Sequence, residues 1–220
     1  MKTVVLTCKT LEDEINFAIE KTGISYPVEW LESGLHNTPK KLYARIQEYL
    51  DSVEADRVLV AMGFCGNSVL GLRTRNFELI IPRVDDCITL LLGSMRTRTK
   101  ISQEHKAYFM TEGWMRGERN LWVEYKYMVD KYGEEQAKSI SEMMFGHYRT
   151  LGLLDVGTKP IEPLLQSTRI IADTLNLKQK VFAASVAYIE QLLTGPWPED
   201  RFLIKAPNEE IKAEDLCLPM

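Results

Sequence analysis

Through its first hundred residues the chain alternates short β-branched runs with stretches of helical period, the pattern of βαβ units and a mainly parallel sheet. VVLT predicts a strand over Thr3 to Thr7. Leu11, Ile15, Ala18 and Ile19 then recur on one face of a helix over Leu11 to Lys21, which Gly23 ends. A second extended piece spans Tyr26 to Leu31, and a helix runs from Pro39, a residue suited to the first turn, to Val53. Strands follow at Val58 to Met62 and Glu78 to Ile81, the latter apolar enough for a central position, with a glycine-rich turn and short helix in GFCGNSVLGL between them. Asp85 and Asp86 open a helix through Leu92, and Ala107 to Thr111 reads as one more strand.

Beyond residue 115 the periodicity is helical, at Leu121 to Tyr132, Glu134 to Tyr148, Ile161 to Leu175 and Lys178 to Leu193, before a last strand at Arg201 to Lys205. The expectation is therefore a single α/β domain over residues 1–220. Its open, mainly parallel sheet is flanked by helices, residues 1–115 form the βαβ core that carries the site, and a largely helical half, 116–220, covers it. No repeat, low-complexity segment or linker interrupts it.

Charge and composition narrow the function. Lys and Arg number 27 against 31 Asp and Glu, a net charge of −4, and no basic face gathers, so nucleic acid is not an expected partner. The longest apolar runs fall short of the roughly 20 residues a membrane span needs, and the amino-terminal run lacks the form of a secretory signal. Four cysteines, Cys8, Cys65, Cys87 and Cys217, are too sparse for a disulfide scaffold, and a reducing, cytoplasmic setting is expected. Walker, G-x-G-x-x-G, G-x-S-x-G and H-E-x-x-H patterns do not occur.

What remains is a set of sulfur and nitrogen ligands, each just past a predicted strand: Cys8, His36, Cys65 and Cys87. Ligands of open parallel sheets bind outside the strands' carboxyl ends. Strands about 4.8 Å apart can deliver thiolates to one ion, and soft S and N donors favour zinc or an iron–sulfur cluster over magnesium or calcium. Gly66 and Asn67 lie beside Cys65 where a cofactor's close approach needs a slim backbone, and Cys87 at a helix start is placed to favour thiolate, with Asp85 and Asp86 partly opposing. Asp85 and Asp86 could also orient a ligand. Arg83 is expected to hold an anionic group or to pair with these aspartates. Tyr108, Thr111 and Trp114 could wall the pocket, and Glu14 could point back at the site from the first helix, although a solvated helix carboxylate is the default there. Cys217 reads as incidental, and His105 and His147 as surface or packing residues.

The blocks CKTLEDE, LHNTPKKL, GFCGNSVLGL, IPRVDDCITLLLGS and YFMTEGW resemble, in order and over about residues 3 to 195, the motif blocks of an uncharacterised family, the domain of unknown function numbered sixteen-thirty-eight. The PRVDDC block is the specific one. The resemblance maps family positions onto Cys8, His36, Cys65, Asp86 and Cys87. It implies methanogens and other anaerobes, with genes near those for corrinoid-dependent methyl transfer. The expected function is a metal-binding protein of corrinoid-linked one-carbon metabolism, and a metal-dependent methyltransferase is one form it could take. The partner would be a corrinoid protein or methyltransferase. Alternatives are an iron–sulfur protein for electron transfer or corrinoid reactivation, and a non-enzymatic corrinoid-binding module with structural thiols.

Overall fold

Alternation within single strands decides the architecture. Val4 and Leu6 of one strand, Val58 and Val60 of a second and Leu79 and Ile81 of a third pack into one apolar cluster, while their neighbours Val5, Leu59 and Ile80 pack into another. Both faces of this sheet are therefore covered, as a parallel sheet requires. In the computed structural model, which describes residues 1–117 and 119–218, the chain runs β1 (Thr3–Cys8), α1 (Glu12–Thr22), β2 (Val28–Leu31), α2 (Pro39–Ser52), β3 (Arg57–Val60), β4 (Glu78–Pro82), α3 (Cys87–Leu92), α4 (Met95–His105), β5 (Ala107–Met110) and α5 (Glu112–Arg116). It continues through α6 (Leu121–Tyr132), α7 (Glu134–Phe145), β6 (Thr150–Asp155), α8 (Glu162–Thr174), β7 (Lys178–Ala183), α9 (Ala187–Thr194) and β8 (Phe202–Lys205).

Two sheets form. The first has the order β2-β1-β3-β4-β8, parallel except for β8, whose Ile204 faces Ile80 across an antiparallel pair. The second, β5-β6-β7, is parallel throughout. Helices α1, α3 and α9 form a layer between the sheets: Leu11, Ile15, Leu90, Leu91, Ile189 and Leu192 share one cluster with Val5 and Ile80 of the first sheet and Phe109 and Phe182 of the second. Helix α2 covers the outer face of the first sheet through Leu42, Ile46 and Leu50, and Leu164 and Ile171 of α8 cover the second.

The mixed α/β class, the parallel sheet and the largely helical second half agree with expectation. The second half also holds two strands that the periodicity hides. Residues 178–193, read as one helix, are strand β7 followed by α9, and β6 lies where no element is expected. The helix expected to reach Tyr148 stops at Phe145, and GFCGNSVLGL is a succession of turns without the short helix. No helix among the described residues is long and apolar enough to cross a membrane.

Candidate functional site at the strand ends

In the first sheet β1 is flanked by β2 on one side and β3 on the other, and α1 and α2 leave to opposite faces. The direction of winding therefore reverses between β1 and β3, and the crevice at such a reversal is where open α/β sheets bind ligands. Cys8 is the last residue of β1, and Cys65 follows β3. His36 lies in a short 3-10 turn, Leu35–Asn37, after β2, and Cys87 opens α3 after β4. Four neighbouring parallel strands thus bring all four residues to one edge.

The polypeptide around them is tightly tied. Backbone N–H groups of Phe64 and Cys65 donate to the carbonyls of Val84 and Asp85 at 2.9 and 2.7 Å, so the loops after β3 and β4 run against each other. A Cβ on Gly63 would stand 2.6 Å from the Asp86 backbone, which explains the glycine there. Cys65 and Asn67 take positive φ of 44° and 63°, a conformation that costs side-chain-bearing residues energy and is found where a site fixes the chain. A Cβ on Gly113 would meet the Thr10 carbonyl at 2.0 Å, so α5 rests directly on the segment after Cys8. The sequence blocks around Cys8, Cys65, Cys87 and Gly113 are in this way contiguous in space.

Burial, reinforced by Asp86, Cys8 and Asp85, pushes the Cys65 thiol up to about 12. Cys87 is pushed well above the ordinary range by burial, Cys65, Asp86 and Cys8. The thiolate-favouring helix start expected at Cys87 is thus outweighed: α3 spans six residues and its first turn is buried among carboxylates and other sulfurs. The same mutual effect places the three sulfurs within reach of each other's charge. Cys8 Sγ donates to Thr10 Oγ1 at 3.2 Å. Burial lowers the pKa of His36, with Asp86 opposing, and a neutral imidazole is the form that ligates metals. Asp86 caps α3, its Oδ1 accepting the Thr89 N–H at 2.8 Å, while Asp85 Oδ1 accepts the Asp86 N–H. As the side chains stand, no group of three or more His, Cys, Asp and Glu among the described residues forms a ready coordination shell. The donor types, three sulfurs and one imidazole nitrogen, fit a soft ion.

Beside this edge opens a cleft of about 750 Å³ that extends to β5 and the starts and ends of α4, α6 and α7. His36 and Asp86 form its boundary with the cysteine edge, and Tyr108 and Trp114, expected to wall the cysteine pocket itself, line this neighbouring cleft. His36 and Trp114 rings pack at 5.6 Å. Sequence reasoning missed Arg98, Lys106 and Ser102, because α4 is a polar helix without a buried residue and offers no apolar stripe to read. It also set aside His147, which lines the cleft, whereas His105 lies by Lys180 and Phe182.

Other expected members lie elsewhere. Arg83 donates to the carbonyls of Glu199, Asp215 and Cys217 at 2.7, 2.6 and 3.3 Å, so it fastens the carboxyl-terminal segment and pairs with neither Asp85 nor Asp86. Thr111 caps α5, its hydroxyl accepting the Trp114 N–H. Glu14 is buried and not solvated, and with Thr111 it lines a separate small gap against the ends of β5 and β6. Cys217 is exposed.

A family model described as "Protein of unknown function (DUF1638)" matches residues 30–193, well over half of the chain. Cys8 and Glu14 fall before the matched span, and His36, Cys65 and Cys87 within it. No curated protein and no solved structure matches the chain.

Proposed function

The chain belongs to the DUF1638 family, and from that premise we propose that it binds a soft metal, zinc or the iron of an iron–sulfur cluster, through Cys8, Cys65 and Cys87, with His36 as the fourth ligand or beside an open position. One observation carries the reading. Cys8 ends one of the two strands that flank the winding reversal and Cys65 follows the other, while His36 and Cys87 follow the strands next to them. Burial and nearby negative charge disfavour the thiolates of Cys65 and Cys87, and a bound cation would supply the positive charge that lets them ionise together.

A metal held by thiolates lowers the pKa of a further coordinated thiol, which makes sulfur a nucleophile near neutrality. Methyl transfer to sulfur needs that chemistry, and the reading extends to corrinoid-linked one-carbon metabolism, with a corrinoid protein or methyltransferase as partner. In this reading Asp85 and Asp86 brace the loop that presents Cys87, and the tie between Cys65 and Asp85 sets the spacing of two sulfurs.

Elemental analysis of anaerobically purified protein tests the proposal. Wild type should carry about one equivalent of zinc, or iron with sulfide, and Cys8→Ser, Cys65→Ser and Cys87→Ser should each lose most of it. A brown, oxygen-sensitive absorbance assigns the cluster and a colourless protein zinc. Metal content that is negligible in wild type, or undiminished in all three variants, removes the reading.

A further inference from the structure

No cysteine lines the 750 Å³ cleft, so what it binds is a question separate from the metal. Its volume lies in the range of sites for small organic molecules, roughly 300–1,000 Å³. One part of its wall is flat and unsaturated, with the indole of Trp114 against the imidazole of His36 and the rings of Tyr108 and Tyr148 edge-on at 5.4 Å. Another part is cationic. The Arg98 guanidinium lies 4.4 Å over the Phe109 ring, donates to Ser102 Oγ at 3.2 Å, and reaches the Asp86 carboxylate only at 3.8 Å. Asp86 caps α3 through Oδ1 and turns only Oδ2 toward Arg98, which occupies at most one of the guanidinium's donors. Arg98 is therefore stacked and oriented, with donors left for a further acceptor. Lys106 adds a second cation on the same lining, in a chain whose net charge is −4.

We propose that this cleft binds a small organic anion, its flat unsaturated part against Trp114 and His36 and its carboxylate or phosphate met by Arg98 and Lys106. An oriented guanidinium recognises a planar or tetrahedral oxyanion through two parallel hydrogen bonds, and an aromatic wall accepts a ring at little entropic cost. His36 and Asp86 border both the cleft and the cysteine edge, so a molecule seated here has one end beside the sulfurs.

Calorimetric titration of the full chain tests this with three probes that share one ring: 2-naphthoate, 2-naphthyl phosphate and the neutral 2-naphthalenemethanol. At least one anion should bind about tenfold or more tightly than the alcohol, the loss expected when a charge-assisted hydrogen bond is missing. The tighter of the two anions assigns carboxylate or phosphate. Arg98→Gln, and Lys106→Gln on the exposed rim, should each shrink the ratio of anion to alcohol affinity, with the alcohol still bound. Cys65→Ser should preserve the preference whatever it does to metal content, which separates this inference from the metal reading. Equal binding of alcohol and anions, absence of binding by all three, a preference that survives both cation variants, or its loss in Cys65→Ser overturns the proposal.

Discussion

Glu14 faces the interior from the first turn of α1, is 2 % exposed, and has one carboxylate oxygen, Oε2, with no hydrogen-bond partner among the described residues. Burial, aided by the neighbouring Asp13 charge, pushes its pKa from the ordinary 4.5 to about 7, although Arg116 and Lys159 pull the other way. The folded state then holds a proton that the unfolded chain releases near 4.5. Stability from this residue is greatest below that value, falls as pH rises from 4.5 to about 7, and stays low above it. Glu14→Gln should remove the dependence and leave the variant more stable than wild type at pH 8, by up to about 3 kcal/mol at 1.36 kcal/mol per pKa unit. Urea titrations at pH 5 and pH 8 check it, and parallel losses in both proteins would contradict it. The positions of Cys8, Cys65 and Cys87 along the chain were legible in the sequence because each comes shortly after an apolar run that predicts a strand, and the strand end dictates where the loop leaves. Arg83 and Glu14 were not, since the groups that decide their surroundings, Glu199 and Asp215 for one and Leu154, Thr158 and Lys159 for the other, lie more than a hundred residues away along the chain.

At the level of elements, the second sheet depends on one missing side chain. Gly152 in the middle of β6 sits between the rings of Phe109 and Phe182, and a Cβ there would stand 3.0 and 3.1 Å from them. Alanine in a strand is normally favoured over glycine; here Gly152→Ala should destabilise by about 1–3 kcal/mol, the range for overpacking a filled core. A denaturation midpoint that rises in the variant would refute the packing argument. The same glycine helps to hide the strand from a sequence reading, because TLGLLD has neither clean alternation nor a β-branched run. Strand β7 is hidden differently. Of its six residues only Phe182 is fully buried, so its sequence carries little pattern of its own and merges with the true helical period of α9. β6 exists through pairing with β5 and β7 through pairing with β6, long-range contacts that local periodicity does not encode. The first sheet was readable because its strands are buried on both faces and announce themselves as apolar runs.

Across the whole molecule, the carboxyl-terminal segment is first stitched to residues 71–75 by backbone bonds around the buried Ile211, and its end is then fastened by two side chains. Arg83 grips the carbonyls of Asp215 and Cys217 as well as that of Glu199 before β8, and Lys205 pairs with Asp215 at 2.8 Å with both side chains largely buried. Arg83→Ala should loosen residues 212–218, beyond the part that Ile211 anchors, costing about 2 kcal/mol for the lost charged hydrogen bonds and exposing that end to protease well before the rest unfolds. Limited proteolysis followed by mass measurement reads this directly, and an unchanged cleavage rate would show the clamp to be dispensable.

Strand β8 covers the edge of β4, and α9 fills the layer between the sheets, yet both are made after nearly everything they complete. During synthesis the early strands emerge with a bare edge and an uncovered face. Neither is sealed until residues 187–205 leave the ribosome, so the molecule shuts from its far end, and any nascent chain stalled before that point offers an unpaired strand to its neighbours.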